Sequence, residues 1–142
     1  MTLRPEDSPG FLMWHATLLW QRHIAAALAP FGLTHVQFVL LASLWWLERE
    51  DHRPNQIELA RHAGVDVKMA SQVVRRLEGK NLLARVVDVD DSRARRLCAT
   101  AEGSRVAAEA IDAVEAADRE FFAPVADRDQ LLAVLRRLAH PT

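Results

Sequence analysis

Two helical patterns separated by only a few residues constrain this chain more than any other feature. Asn55 is a good N-cap with Glu58 three residues later, the spacing of a capping box, and Gly64 ends the run, which predicts a short helix over 56–63. Only Val65 and Asp66 then precede the next helical pattern, and Asp66 is placed to cap it. A connection this short holds two helices at a steep angle, as in a helix-turn-helix.

The second of these helices, Val67 to about Lys80, sorts its residues sharply by face. At about 100° per residue, with Lys68 at zero, Gln72, Arg75 and Gly79 fall within about 40° of it, flanked by Ser71 and Arg76. Ala70, Val73, Val74 and Leu77 take the far side. One face is apolar and the other is made of hydrogen-bonding groups. Asn81 follows, a residue that tolerates the left-handed backbone often required at a helix C-terminus.

Downstream, Leu83, Arg85, Val87 and Val89 alternate with Ala84, Val86 and Asp88, and Leu97 and Ala99 alternate with Arg96 and Cys98. The polar stretch Asp90-Asp91-Ser92-Arg93 lies between them, so the segment predicts a β-hairpin. Thr100 caps a long helix with a stripe of Val106, Ala110, Val114, Ala117 and Phe121, broken near Pro124, and Leu131, Leu135 and Leu138 mark a last helix. Ahead of the helical pair, Leu12, Trp14, Leu18, Leu19, Ile24 and Leu28 predict a first helix that ends near Pro30, and Thr34 caps a second through Arg49.

The expected fold class is mainly α with a small β-hairpin wing, in one domain spanning 1–142. The six prolines and five glycines are scattered and mark no linker. The N-terminus lacks a secretory pattern, and the apolar run Val36 to Leu47 falls short of the roughly 20 residues of a membrane span, so a cytoplasmic protein is expected. One cysteine excludes an intramolecular disulfide. No nucleophile elbow, phosphate-binding loop, nucleotide fingerprint or zinc-protease motif occurs, so neither an enzyme nor a cofactor is expected. The net charge of −1 conceals an asymmetry. Residues 61–105 hold ten Lys/Arg against six Asp/Glu, and the remainder holds eight against thirteen. A basic segment sits on an acidic body, the distribution of a nucleic-acid reader with a non-binding scaffold.

The run Val74-Arg75-Arg76-Leu77-Glu78-Gly79-Lys80-Asn81-Leu82-Leu83-Ala84-Arg85, followed by Asp88, Asp91, Arg93, Thr100 and Gly103 at unbroken spacing, resembles the MarR family (multiple antibiotic resistance regulator-like). Asn81 replaces the usual glycine, and Ala99 replaces the usual leucine before the capping threonine. The resemblance implies a winged helix-turn-helix lobe over 34–100, with dimerisation helices at 11–30 and 101–140. It implies a transcription regulator, usually a repressor, that binds double-stranded DNA as a homodimer on a pseudo-palindromic operator.

On that basis Lys68, Ser71 and Gln72 are candidates for reading base edges, and Arg75, Arg76 and Lys80 for phosphate neutralisation. Arg93 resembles the arginine that enters the minor groove, with Asp91 expected to hold its guanidinium, and Arg95 and Arg96 stand beside it. The family also implies release by a small aromatic or anionic effector. Trp14, Trp20, His23, His35 and Trp45 lie on helices that would line its cleft, although aromatic residues at helical spacing more often pack a core. Cys98 alternates with Leu97 and Ala99, which leaves a redox-responsive regulator open. The His23 and His35 spacing matches no metal-ligand motif, and a metal sensor is a minor alternative. A winged helix used only for protein interaction is the reading from a different class.

Overall fold

A computed structural model describes residues 2–141, so Met1 and Thr142, the ends of the expected 1–142 domain, lie outside the described residues. After a 3-10 turn at Pro5–Asp7, the helices are α1 (Pro9–Leu28), α2 (His35–Arg49), α3 (Gln56–Ala63) and α4 (Val67–Gly79). Strands β1 (Leu83–Val87) and β2 (Arg95–Ala99) form an antiparallel hairpin, and α5 (Ala101–Phe121) and α6 (Arg128–Ala139) complete the chain. Mainly helical architecture with one hairpin is what the sequence predicts.

Local chemistry sets the helix ends. Thr34 and Gln37 form a reciprocal capping box on α2, and Asn55 and Glu58 form one on α3. Gly64 closes α3 at φ 74°, where a Cβ would be strained, and its N–H caps the Ala60 and Arg61 carbonyls. Asp66 Oδ1 accepts from the Met69 N–H at 2.8 Å and starts α4 at the next residue. The turn between α3 and α4 is thereby fixed by three residues.

Ile24 and Leu28 of α1, Leu40, Leu41 and Leu44 of α2, Leu59 of α3, Val74 and Leu77 of α4 and Leu97 of β2 are all fully buried in one core. A buried leucine or valine contributes roughly 1.5–3 kcal/mol, so this junction of five elements ties α1 to the helical pair and the hairpin. The Val106, Ala110 and Val114 stripe of α5 joins the same core, and α1 packs along α5.

The hairpin is shorter than its alternation suggests. Asp88 Oδ1 accepts from the Asp90 N–H at 2.9 Å and turns the chain, so β1 stops at Val87 and Val89 is 99% exposed in the loop. An apolar side chain there has nothing to pack against. Among the described residues, no single helix is long and apolar enough to cross a membrane.

Apolar side chains also remain outside the core on α1 and α6. Phe11, Leu12, Trp14 and Leu19 are about half exposed or more, and Leu135 and Leu138 of α6 are likewise open. Of the α6 stripe only Leu131 is half-buried.

Candidate nucleic-acid interface

The two faces of α4 separate as the angular placement predicts. Ala70, Val73, Val74 and Leu77 are buried, whereas Lys68, Gln72, Arg75 and Arg76 are exposed. Ser71 is half-buried, and its Oγ accepts from Arg75 Nη2 at 3.2 Å. Exposed Met69 and Val67 flank the polar face on its two sides, and Val67 and Ile57 border a shallow hollow that reaches Arg85 and Arg95 on the hairpin. The sequence reading missed these apolar neighbours because exposure at a helix N-terminus depends on what the turn leaves uncovered.

Lys80 is already engaged. Its Nζ donates to the Gly32 carbonyl and, at 2.8 Å, to Gln37 Oε1, tying the end of α4 to the start of α2. An ammonium with two such acceptors is a structural tie rather than a free phosphate ligand, which corrects the expectation for this residue. Arg85 is occupied in a similar way, by Glu78 Oε1 at 3.0 Å and Gln56 Oε1 at 3.2 Å.

Arg93 is exposed in the hairpin loop. Asp91 does not hold its guanidinium as expected. The Asp91 carboxylate instead accepts from the Arg93 backbone N–H at 3.0 Å, an Asx turn that shapes the loop and leaves the arginine side chain outside that bond. Arg95 Nη1 folds back onto the Ser92 and Ala94 carbonyls at 3.2 and 3.3 Å, bracing the same loop.

Arg96 is half-buried and points to protein carboxylates: its Nε donates to Asp88 Oδ2 at 2.8 Å and its Nη1 to Glu58 Oε1 at 2.5 Å. Glu58 Oε2 also meets His52 Nε2 at 2.8 Å. Burial alone would raise the Glu58 carboxyl, but the Asn55 N–H, His52 and Arg96 outweigh it and hold it below its ordinary value. The Asp90 N–H and Arg96 likewise lower Asp88, and these two carboxylates raise Arg96. Glu58, Asp88 and Arg96 are therefore all ionised at neutral pH.

Cys98 lies on the hairpin face that carries Val86 and Arg96, and that face turns toward the connection between α2 and α3. The thiol is half-buried, and burial together with the Glu48 carboxylate raises its pKa. Both features weigh against the redox-responsive alternative, because the thiolate is the reactive form.

Of the residues expected at an effector cleft, three lie in the region where α1 and α2 meet α5. The Trp20 ring meets His35 edge-on at 5.1 Å, its Nε1 donates to Asp118 Oδ1 at 2.8 Å, and His23 meets Phe121 at 5.5 Å. Burial lowers the His35 pKa, with the Asp118 charge opposing the shift. Trp20 also borders an apolar hollow of about 350 Å³ with Met13, Phe121, Phe122, Leu131 and Leu135. Trp45 is not part of this group: ten residues along α2 from His35, about 15 Å at 1.5 Å per residue, it packs edge-on to Trp46 and under the Arg49 guanidinium. Among the described residues, no three His, Cys, Asp or Glu side chains converge as metal ligands would.

Comparison with known proteins agrees with this arrangement. The MarR family profile matches residues 33–94, from the start of α2 into the hairpin. The chain is 40% identical over 134 residues to the uncharacterized HTH-type transcriptional regulator YdcH of Bacillus subtilis, covering 94% of this chain and 91% of that protein. It is similar in structure to CouR of Rhodococcus jostii bound to p-coumaroyl-CoA, with TM-score 0.85, 27% identity and coverage of 99% of this chain and 98% of that one. CouR bound to a 23-mer DNA duplex gives TM-score 0.78 and 25% identity, with 98% and 97% covered. With an exposed polar recognition face, a charged hairpin beside it and a full-length relative at 40% identity, the chain belongs to the MarR family of winged helix-turn-helix transcriptional regulators.

Proposed function

We propose that this chain acts as a homodimeric repressor that binds a pseudo-palindromic operator through α4 and the hairpin, and is released by a small aromatic or anionic ligand. The observation that carries the reading is the outer face of α4. Lys68, Gln72, Arg75 and Arg76 stand exposed on a helix whose opposite face is locked into the core, so the polar face is rigidly presented. Lys68, Ser71 and Gln72 read base edges in the major groove, Arg75 and Arg76 neutralise phosphates, and Arg93 enters the minor groove from a loop shaped by Asp91 and Arg95. CouR on its DNA duplex supports the assignment by its likeness.

A dimer follows from the size of the contact, since one helix and one wing give too little for operator-level affinity. The exposed apolar side chains of α1 and α6 support a second copy covering them. In this reading 34–100 is the DNA-binding lobe, and 11–30 with 101–140 form the dimer body. The p-coumaroyl-CoA complex of CouR supports an aromatic, anionic class of effector, with Trp20, His23 and His35 as the candidate contacts and Trp45 outside their group. The role is regulatory and not enzymatic, exerted on chromosomal DNA in the cytoplasm.

Selection of bound fragments from the organism's own genome tests the reading. The expected result is enrichment of an inverted repeat, bound by two chains per site and weakened steeply by added salt. Recovery of no common sequence would contradict it.

A further inference from the structure

The Glu58, Arg96 and Asp88 network occupies a particular place on the hairpin. The base of β2 is fixed through its own N–H groups, Leu97 donating to the Pro54 carbonyl at 2.8 Å and Ala99 to the Glu48 side-chain Oε1 at 2.7 Å. Arg96 is the outermost tie between the hairpin and the helical lobe, and Arg93 lies only three residues beyond it. Past this point the loop is braced by its own residues, through the side chains of Asp88, Asp91 and Arg95 and the backbone bonds of Ala94 with Asp88 and Asp91.

We propose that Glu58, Arg96 and Asp88 form a latch that sets the height and tilt of the wing for entry of Arg93 into the minor groove. Two carboxylates of the same sign as DNA thereby favour DNA binding. The inference rests on the DNA-binding reading above and adds positioning residues to it.

Three observations carry it. Arg96 bridges α3 and the end of β1 with one guanidinium, so its planar fork fixes an angle as well as a distance. The Asp88 side chain is only 10% exposed and also starts the loop, so its geometry passes directly to the residues that carry Arg93. Partly exposed ion pairs add little to stability, which leaves orientation as the effect of three ionised groups gathered here. Arg96 is therefore a positioning residue and not a backbone contact.

Charge and position predict opposite signs, which makes the latch testable. If only charge mattered, removing a carboxylate beside the DNA-facing surface would tighten binding. Affinity for the selected duplex is measured at one salt concentration for wild type, Glu58→Gln, Asp88→Asn, Arg93→Ala and the two double variants. Glu58→Gln keeps Oε1 as an acceptor for the Asn55 N–H and reduces the Arg96 contact, made to that same oxygen, to a neutral hydrogen bond, whereas Asp88→Asn keeps Oδ1 for the Asp90 N–H and loses the Oδ2 acceptor of Arg96. The latch predicts that each single latch variant weakens binding about fivefold, and that the Arg93→Ala loss shrinks from about tenfold in wild type to under about threefold in either latch variant. Equal or tighter binding by both latch variants, or an undiminished Arg93→Ala loss in them, overturns the proposal. Should Glu58→Gln fail to fold, Asp88→Asn carries the same test, because Asp88 caps no helix. A wild-type chain that binds no selected duplex contradicts the DNA reading itself, which is a different outcome.

Discussion

Gly103 approaches Leu82 so closely that a Cβ at position 103 would overlap the Leu82 carbonyl oxygen. That same oxygen accepts from the Thr100 N–H at 3.1 Å, while the Thr100 hydroxyl donates to the Asn81 carbonyl at 2.7 Å and accepts from the Gly103 N–H at 2.9 Å. The Thr-x-x-Gly spacing is thus the joint that seats α5 on the turn after α4. Because backbone crowds backbone here, Gly103→Ala is expected to cost about 3 kcal/mol. Urea denaturation checks it; a variant as stable as wild type would contradict the joint.

Asn81 has φ 60°, the left-handed conformation that its short side chain tolerates. Asn81→Gly is expected to be neutral or stabilising by a few tenths of a kcal/mol, and Asn81→Val to cost about 1–2 kcal/mol. Thermal melting of the three chains gives the order Gly at or above Asn, and Val lowest.

Lys80 and Arg76 are four residues apart, yet substitution should affect different quantities. Lys80→Ala strips Gln37 and Gly32 of a donor, so it is expected to lower the melting temperature and leave the salt dependence of DNA binding unchanged. Arg76→Ala is expected to leave melting nearly unchanged and to reduce the slope of log affinity against log salt by about 1. The same titration series separates a structural tie from a phosphate contact.

What the sequence made legible and what it hid divide by distance along the chain. The caps at Asn55 and Asp66, the stop at Gly64 and the split faces of α4 all rest on partners three or four residues away, and a local pattern contains them. Lys80 with Gln37, Arg96 with Glu58 and Trp20 with Asp118 join residues 43, 38 and 98 positions apart. Which of many charged side chains meet is decided by how helices pack, so the phosphate role given to Lys80 and the guanidinium partner given to Asp91 did not match the geometry. The half-burial of Cys98 was hidden for a related reason: alternation identifies the two faces of a hairpin but not how much of each a distant segment covers.

His35 makes stability depend on pH in a defined window. Burial lowers its pKa from 6.5, so between the lowered value and 6.5 the unfolded chain binds more protons than the folded one. Stability is therefore full above 6.5 and falls as the pH drops through that window. The drop in melting temperature between about pH 7.5 and about pH 5.5 is expected to be smaller for His35→Asn than for wild type. Glu58 and Asp88, whose lowered values lie well below this range, leave the window to histidine. An equal drop in both chains would remove His35 from the account.

The central claim is that α4 and the hairpin loop bind DNA directly, and one titration tests it most closely. Fluorescence anisotropy of a selected operator duplex is followed against wild type and against Lys68→Ala, Gln72→Ala and Arg93→Ala, each first shown to melt like wild type. The account predicts saturation at two chains per duplex and a loss of roughly tenfold or more in affinity for each variant. Unchanged affinity in all three would contradict it.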